Sequence, residues 1–234
     1  MLITLAGVIG VGKSSMTDIL SKILDTKAVY EPVEDNPLLE LFYQDKKKYG
    51  FLFQIDMISK RFEMIQEAQS VNNGVLDRSI YEDKIFLHQL HQEGNVSDLE
   101  LQIYNNLLDR MLKELKGLPK KSPDLMIVLN CTFEEEIKRI NKRARAFEKV
   151  HEGSELYEYF KLHHENYQKW IQEDLDFPKL VIDVTDKDFV NNQRDRYDIL
   201  SEIMYKLCEV GAISFKEYWD FLKYGHSKDF KLMK

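Results

Sequence analysis

Cysteine is scarce in this chain: Cys131 and Cys208 are the only two among 234 residues. Two distant cysteines make neither a disulfide framework nor a zinc-binding spacing, and both read as buried thiols in a reducing compartment. No apolar run is long enough to span a bilayer. The N-terminus lacks a charged segment leading into a longer apolar stretch and a cleavage site. A cytoplasmic protein with no membrane partner is expected. Excess positive charge is also missing, since the formal net charge is -7. A nucleic-acid binder normally needs a basic face, so nucleic acid is not an expected partner. Lys46, Lys47 and Lys48 form the one compact basic run, which reads as a solvated loop or helix end. His88, His91, His163 and His164 have no acidic or cysteine neighbours at ligand spacing; they read as surface residues on helical runs.

What is present is ordinary globular composition, 44% hydrophobic and 31% charged, in a length that suits one large domain. Short apolar runs alternate with long amphipathic ones. Leu2 to Ala6, Ala28 to Tyr30, Val75 to Leu76, Leu125 to Leu129 and Leu180 to Ile182 read as strands. Their near-continuous apolar character predicts burial on both faces, hence a parallel sheet between helix layers. Helices are predicted over Ser14 to Leu24, Pro37 to Gln44, Phe51 to Ala68, Glu82 to His91, Ser97 to Leu115, Phe133 to Arg145, Glu155 to Glu173 and Asn192 to Val210. Asn73-Gly74 and Leu118-Pro119 punctuate two boundaries. The alternation predicts an α/β, doubly wound fold with about five parallel strands flanked by helices. Residues 1–210 form the expected domain, and 211–234 a helix or tail of unassigned role.

Gly7, Val8, Ile9, Gly10, Val11, Gly12, Lys13 and Ser14 fit the phosphate-binding pattern G-x-x-x-x-G-K-[ST], with Ser15 following. Glycines let the backbone turn so that its N–H groups face phosphate oxygens. Lys13 reaches the β- and γ-phosphates, and the Ser14 hydroxyl serves Mg²⁺. The next helix adds the positive end of its dipole. The run follows an apolar strand and opens a helical stretch, which is the context this motif requires. The expected ligand is a nucleoside triphosphate, ATP, with Mg²⁺. A guanine-reading Asn-Lys-x-Asp is absent: the one Asn-Lys pair, Asn141-Lys142, runs into Arg143-Ala144. No second apolar strand ends in Asp-Glu, as a motor ATPase would usually show.

Two further strands end in carboxylates, Glu31-Pro32-Val33 and Asp77-Arg78-Ser79. In an open parallel sheet, ligands bind outside the carboxyl ends of the strands, on the edge where the glycine-rich turn also lies. Phosphoryl transfer needs a carboxylate to orient the acceptor hydroxyl, an oxygen ligand for Mg²⁺, and a guanidinium to neutralise the transferred group. Read alone, Glu31 and Asp77 could equally be helix caps.

With these motifs, and above all Glu31-Pro32-Val33-Glu34-Asp35-Asn36-Pro37, the chain resembles the deoxyribonucleoside kinase family from the glycine-rich turn to about Phe189, closest to its bacterial deoxyadenosine and deoxyguanosine members. The resemblance implies a P-loop kinase fold with an Arg-rich lid at about 139–153. It implies Glu31 on the acceptor 5′-hydroxyl and Asp77 near Mg²⁺, with the choice of base between them open. Arg78, together with Lys13 and Arg143, would face the transferred phosphoryl group. In the acceptor pocket it implies Val33, a stacking ring from Phe53 and an amide from Gln54. Arg61 with Asp83 would select purines or cytosine, and Tyr43 with Glu148 would hold the sugar 3′-hydroxyl. Arg139, Arg143 and Arg145 would clamp the donor, and Lys187, Asp188 and Phe189 would hold its adenine. Ala144 stands where the family usually has glycine. Without the resemblance these residues read as core, helix surface or a solvated basic face.

The implied reaction is transfer from ATP to the 5′-hydroxyl of a deoxyribonucleoside, deoxyadenosine or deoxyguanosine before deoxycytidine. The implied assembly is a homodimer, with the Ser97 to Leu115 helix as a candidate face; pairing with a related subunit stays open. The competing readings are a nucleoside monophosphate kinase of the thymidylate kinase type and a nucleotide-sensing subunit without turnover.

Overall fold

The computed structural model describes residues 1–33, 36–70, 73–78, 80–117, 122–227 and 230–232. Five parallel strands form one sheet: β1 Leu2–Gly7, β2 Lys27–Val29, β3 Gly74–Asp77, β4 Leu125–Asn130 and β5 Lys179–Asp183, in the order β2-β3-β1-β4-β5. The helices are α1 Lys13–Ile23, α2 Pro37–Gln44, α3 Lys46–Ser70, α4 Lys84–Gln92, α5 Asp98–Gly117, α6 Phe133–Arg143, α7 Glu155–Ile171, α8 Gln193–Glu209 and α9 Phe215–Tyr224. The central strands β1, β3 and β4 are sandwiched as their sequence predicts, whereas the edge strands β2 and β5 are partly exposed, Val181 among their exposed residues. Ile3, Leu5 and Val75 face a core shared with α1, α8 and α9, whereas Leu2 and Leu76 face one shared with α3 and α5. Strand order reverses beside β1, so its carboxyl end opens into the crevice where such sheets bind ligands.

Three local features depart from the expected outline. Helix α3 begins at Lys46 rather than Phe51, so the lysine run is its first turn. Asp45 explains the start: its carboxylate accepts from the Lys48 N–H at 3.0 Å, a side-chain cap. Gly50 stays inside this helix because α4 passes close by; a Cβ there would lie 3.1 Å from Leu90 Cδ1. Helix α6 ends at Arg143, two residues early, because Ala144 turns left-handed at φ 60°. Finally, His163 is not a surface residue. It is fully buried between α7 and α4, its Nδ1 2.9 Å from Gln89 Oε1. The Gln89 amide donates to the Tyr159 carbonyl at 2.8 Å, which leaves Gln89 Oε1 to accept from the histidine. His164 likewise reaches the buried Glu136, at 2.6 Å.

After Val210 the chain does not stray. Helix α9 carries a capping box, Ser214 with Glu217, and buries Phe221 completely in the core. Leu38 to Gln44 ride on α2, whose entry is set by Pro37 and by the Asn36 side chain, which accepts from the Leu38 N–H. The sequence calls at Glu34, Asp35, Ser79 and Leu118-Pro119 lie outside the described residues.

Candidate active site

The glycine-rich turn leaves β1 at Gly7. A Cβ at Gly7 would stand 2.3 Å from the Leu129 carbonyl oxygen, so only glycine lets β1 and β4 approach there. The Gly7 N–H donates to the Tyr167 hydroxyl at 2.6 Å and, at 3.4 Å, lies within reach of Glu82 Oε2. Gly12 has φ 106°, and the Phe189 ring fills the place of its side chain, 2.7 Å from where a Cβ would sit. Val8 and Val11 are buried behind the turn. Lys13 donates to the carbonyls of Gly7 and Val8, each at 2.9 Å. Burial, reinforced by Arg78, lowers its ammonium pKa to about 8. The Ser14 hydroxyl donates to Asp77 Oδ2 across the β1–β3 edge.

These groups form one end of a cavity of about 700 Å³, where Ile9, Gly10, Gly12, Lys13, Ser14 and Ser15 line the wall. The other end is made of side chains from β2, β3, α2, α3, α4 and α7. Glu31, Pro32 and Val33 enter from the end of β2, and Asp77 and Arg78 from the end of β3. Arg78 sits in the left-handed region at φ 75°, uncommon for a residue with a side chain, in a place where surrounding structure must hold it. Its Nε lies 3.3 Å from Glu31 Oε2 and its Nη1 3.2 Å from Glu82 Oε1. Arg61 donates through Nε to Glu31 Oε1 at 2.7 Å and pairs through Nη1 with the fully buried Asp83. Both guanidiniums lie over the Phe86 ring, at 4.9 Å for Arg78 and 5.3 Å for Arg61.

These contacts set the charges. Burial pushes the Glu31 carboxyl up, but Arg61 and Arg78 outweigh it and hold it below the usual range. Asp77 moves the other way, raised chiefly by burial despite Lys13 and Ser14. Tyr43 is raised well above an ordinary phenol by burial and by the nearby Glu148 carboxylate. Glu148 in turn accepts from Arg143 and, at 3.2 Å, from Arg145. Phe53 stacks on Phe42 at 4.9 Å, and Gln54, on the same helix, is buried with its Oε1 unpartnered.

A sequence model of the family described as "Deoxynucleoside kinase" matches residues 3–209. The chain belongs to the deoxynucleoside kinase family. It is 44% identical over 218 residues to a deoxyguanosine kinase of Lactobacillus acidophilus, covering 93% of this chain and 95% of that one. It is 39% identical over 212 residues to a deoxyadenosine kinase of the same organism, covering 90% and 98%. Among solved structures, the deoxyadenosine kinase from M. mycoides with bound dATP superposes with a TM-score of 0.72 at 28% identity, covering 87% of this chain and 99% of that one.

Within this deoxynucleoside kinase, the expected acceptor residues Glu31, Val33, Tyr43, Phe53, Gln54, Arg61, Arg78 and Glu148 all line the one cavity, and Asp83 stands directly behind Arg61. Arg143 and Arg145 line it too. Arg139 does not. It lies between the turn and the loop after β5, donating to the carbonyls of Val11 at 3.0 Å and Lys187 at 3.2 Å and to Glu135 at 2.8 Å. In that loop Phe189 is buried against Gly12, Lys187 pairs with Asp198 at 3.2 Å, and Asp188 accepts from Asn191. None of the three lines the cavity. Sequence reading missed Glu82, Phe86, Tyr159 and Tyr167. Each sits on a helical run where a buried carboxylate or aromatic looks like any core position.

Proposed function

We propose that this enzyme transfers the γ-phosphoryl group of ATP to the 5′-hydroxyl of a purine deoxyribonucleoside, deoxyguanosine or deoxyadenosine, giving the 5′-monophosphate. The observation that carries this reading is a single cavity with two unlike ends: backbone N–H groups and Lys13 at one, and a paired-guanidinium carboxylate with an aromatic and amide wall at the other. The names of the relatives, two deoxyguanosine kinases and a deoxyadenosine kinase among them, support purine acceptors.

The donor phosphates lie along the turn from Gly7 to Ser15, with Lys13 on the β- and γ-oxygens. The adjoining oxygens of Ser14 and Asp77 fit Mg²⁺, a hard ion that takes one or two protein oxygens beside phosphate. When bound, it neutralises charge on the transferring phosphates. Arg139 fastens the turn to the loop of Lys187, Asp188 and Phe189, which frames the donor's adenine. Phe53 stacks on the acceptor base, Gln54 offers its unpartnered oxygen to the base edge, and Arg61 with Asp83 completes that edge. Tyr43 and Glu148 hold the sugar 3′-hydroxyl, with Val33 closing the wall.

Glu31 accepts the hydrogen bond of the 5′-hydroxyl. Its depressed pKa makes it a weak base, which suffices because the transition state is loose and the hydroxyl proton leaves late. Arg78 and Arg143 neutralise the metaphosphate-like group. Leu99 and Ile103 stand exposed on α5, and we place a homodimer contact there; light scattering with and without a related subunit tests it. Among the described residues no helix is long and apolar enough to cross a membrane.

The test is kcat/KM with ATP–Mg²⁺ for deoxyadenosine, deoxyguanosine, deoxycytidine, thymidine and their monophosphates. Purine deoxynucleosides are expected to lead. Preference for thymidine would keep the kinase but remove Arg61–Asp83 as selector. Turnover of monophosphates alone would move the enzyme to the thymidylate kinase type. ATP binding without any turnover would make it a nucleotide sensor.

A further inference from the structure

Arg61 is expected to read the acceptor base, yet its guanidinium does not stop there. One nitrogen pairs with Asp83, which is fully buried, and two others meet Glu31 Oε1, Nε at 2.7 Å. The Arg61 side chain is 4% exposed, so water cannot substitute for either partner. Phe86 supports the guanidinium plane from below. Gln54 lies seven residues earlier on α3, two turns away on the same face, with Oε1 buried and unpartnered. The base edge and the carboxylate at the reacting hydroxyl are thus joined by one rigid fork. Arginine suits this because its donors are fixed in a plane and can hold two carboxylates at once; a lysine ammonium cannot keep that geometry.

We infer that Arg61 is a positioning residue for Glu31: anchored by Asp83, it aims the Glu31 carboxylate at the acceptor hydroxyl, so that base selection and phosphoryl transfer share one guanidinium. This rests on the kinase reading above. Arg78 alone cannot hold Glu31 in place, because its Nε contact is 3.3 Å long and Glu82 draws on the same guanidinium. A nucleophile displaced by even 1 Å loses about a hundredfold in rate. Removing Arg61 therefore lowers kcat even for an acceptor whose base it cannot read.

Benzimidazole 2′-deoxyriboside is such an acceptor, because it lacks the pairing edge of a purine while keeping the sugar and its 5′-hydroxyl. The experiment compares wild type, Arg61→Met and Arg61→Lys on deoxyguanosine and on this analogue, with melting temperature and the KM for ATP measured on each. The expected result is a fall in kcat of about tenfold to a hundredfold on both acceptors in both variants, with the KM for ATP within about twofold. Arg61→Lys keeps a cation beside Asp83, so it carries the test if the melting temperature shows Arg61→Met to be unfolded. A kcat on the analogue within about twofold of wild type in a folded variant overturns the inference and leaves Arg61 a base reader alone. Absence of any turnover by the wild-type enzyme, on either acceptor, removes the kinase reading and this inference with it.

Discussion

The two ends of the cavity are built on opposite principles. The donor end is backbone: one continuous turn whose shape depends on glycines at Gly7 and Gly12 and whose only charged side chain is Lys13. The acceptor end is side chain: carboxylates and guanidiniums from separate elements that hold one another, Glu31 between Arg61 and Arg78, Glu148 between Arg143 and Arg145. A triphosphate presents the same oxygens whatever its partner, so a fixed backbone cradle serves it. A nucleoside must be told from its analogues, which takes groups that can be exchanged one at a time. Damage at the donor end should therefore strike every substrate equally, and damage at the acceptor end should strike them unequally.

Lys13→Met makes the largest break. It should lower kcat by about a thousandfold or more for every acceptor, because a cation on the transferring phosphates is lost, while calorimetric binding of the deoxynucleoside persists. Loss of deoxynucleoside binding as well would show that the two ends are not separable. Gly12→Ala should cost about 2–3 kcal/mol, from positive φ and from the Phe189 ring in its path, and should weaken ATP without altering the ranking of acceptors. Adding Phe189→Ala should restore part of the lost ATP affinity, since the obstructing ring is gone.

Gln54→Ala sharpens the contrast from the other side. It should reduce kcat/KM for purine deoxynucleosides by about tenfold to a hundredfold and leave the KM for ATP unchanged. An equal loss across purines and pyrimidines would refute its place on the base edge. The pH profile separates the ends again. With the Lys13 pKa lowered to about 8 by burial, kcat/KM for ATP should fall above about pH 8 as the ammonium discharges. Between about 8 and 10.5 the unfolded chain holds the proton that the folded Lys13 has lost, so this group makes stability rise with pH across that window. Glu31 acts in the same sense on the acid side. Its depressed pKa contributes stability above the ordinary carboxylate range, lost as pH falls through the folded value. A flat alkaline limb to pH 10 in kcat/KM for ATP would rule out the Lys13 shift. The smallest effect is expected at the end of α6. Ala144→Gly relieves a left-handed residue and should stabilise by about 0.5–1 kcal/mol, or about 1–4 °C in Tm, with kcat little changed.

The donor end was legible in the sequence because a backbone site is written in consecutive letters. From Gly7 to Ser15 the residues that shape the site are contiguous, although Leu129, Tyr167, Arg139, Asp77 and Phe189 pack or hydrogen-bond against them. The central strands β1, β3 and β4 were equally plain, since burial on both faces leaves an unbroken apolar run, while the edge strands β2 and β5 kept the apolar run without that burial. The acceptor end was legible only in part. Glu31, Asp77 and Arg78 stand at strand ends, where topology alone brings them together. Glu82 and Phe86 do not; they point into the site from helical turns whose pattern says only "buried", and their role emerges when β3 delivers Arg78 between them. The same limit applies at His163, a polar residue buried with its Nδ1 hydrogen-bonded to Gln89 on another helix. Lys187, Asp188 and Phe189 show the reverse case: a loop resemblance located the segment, but packing turned Phe189 toward Gly12 and away from the cavity.

The buried pairing of Arg61 with Asp83 bears on how such an enzyme can change its diet over evolutionary time. Both side chains are nearly sealed from solvent, at 4% and 0% exposure. Losing either one strands a charge at a cost of about 3–5 kcal/mol, a large share of the 5–15 kcal/mol or so that keeps a domain folded. A lineage moving toward a different acceptor must therefore cross a poorly folded intermediate or exchange both residues together. On the proposed reading of Arg61 with Asp83 as acceptor selector, substrate preference would be inherited as a pair.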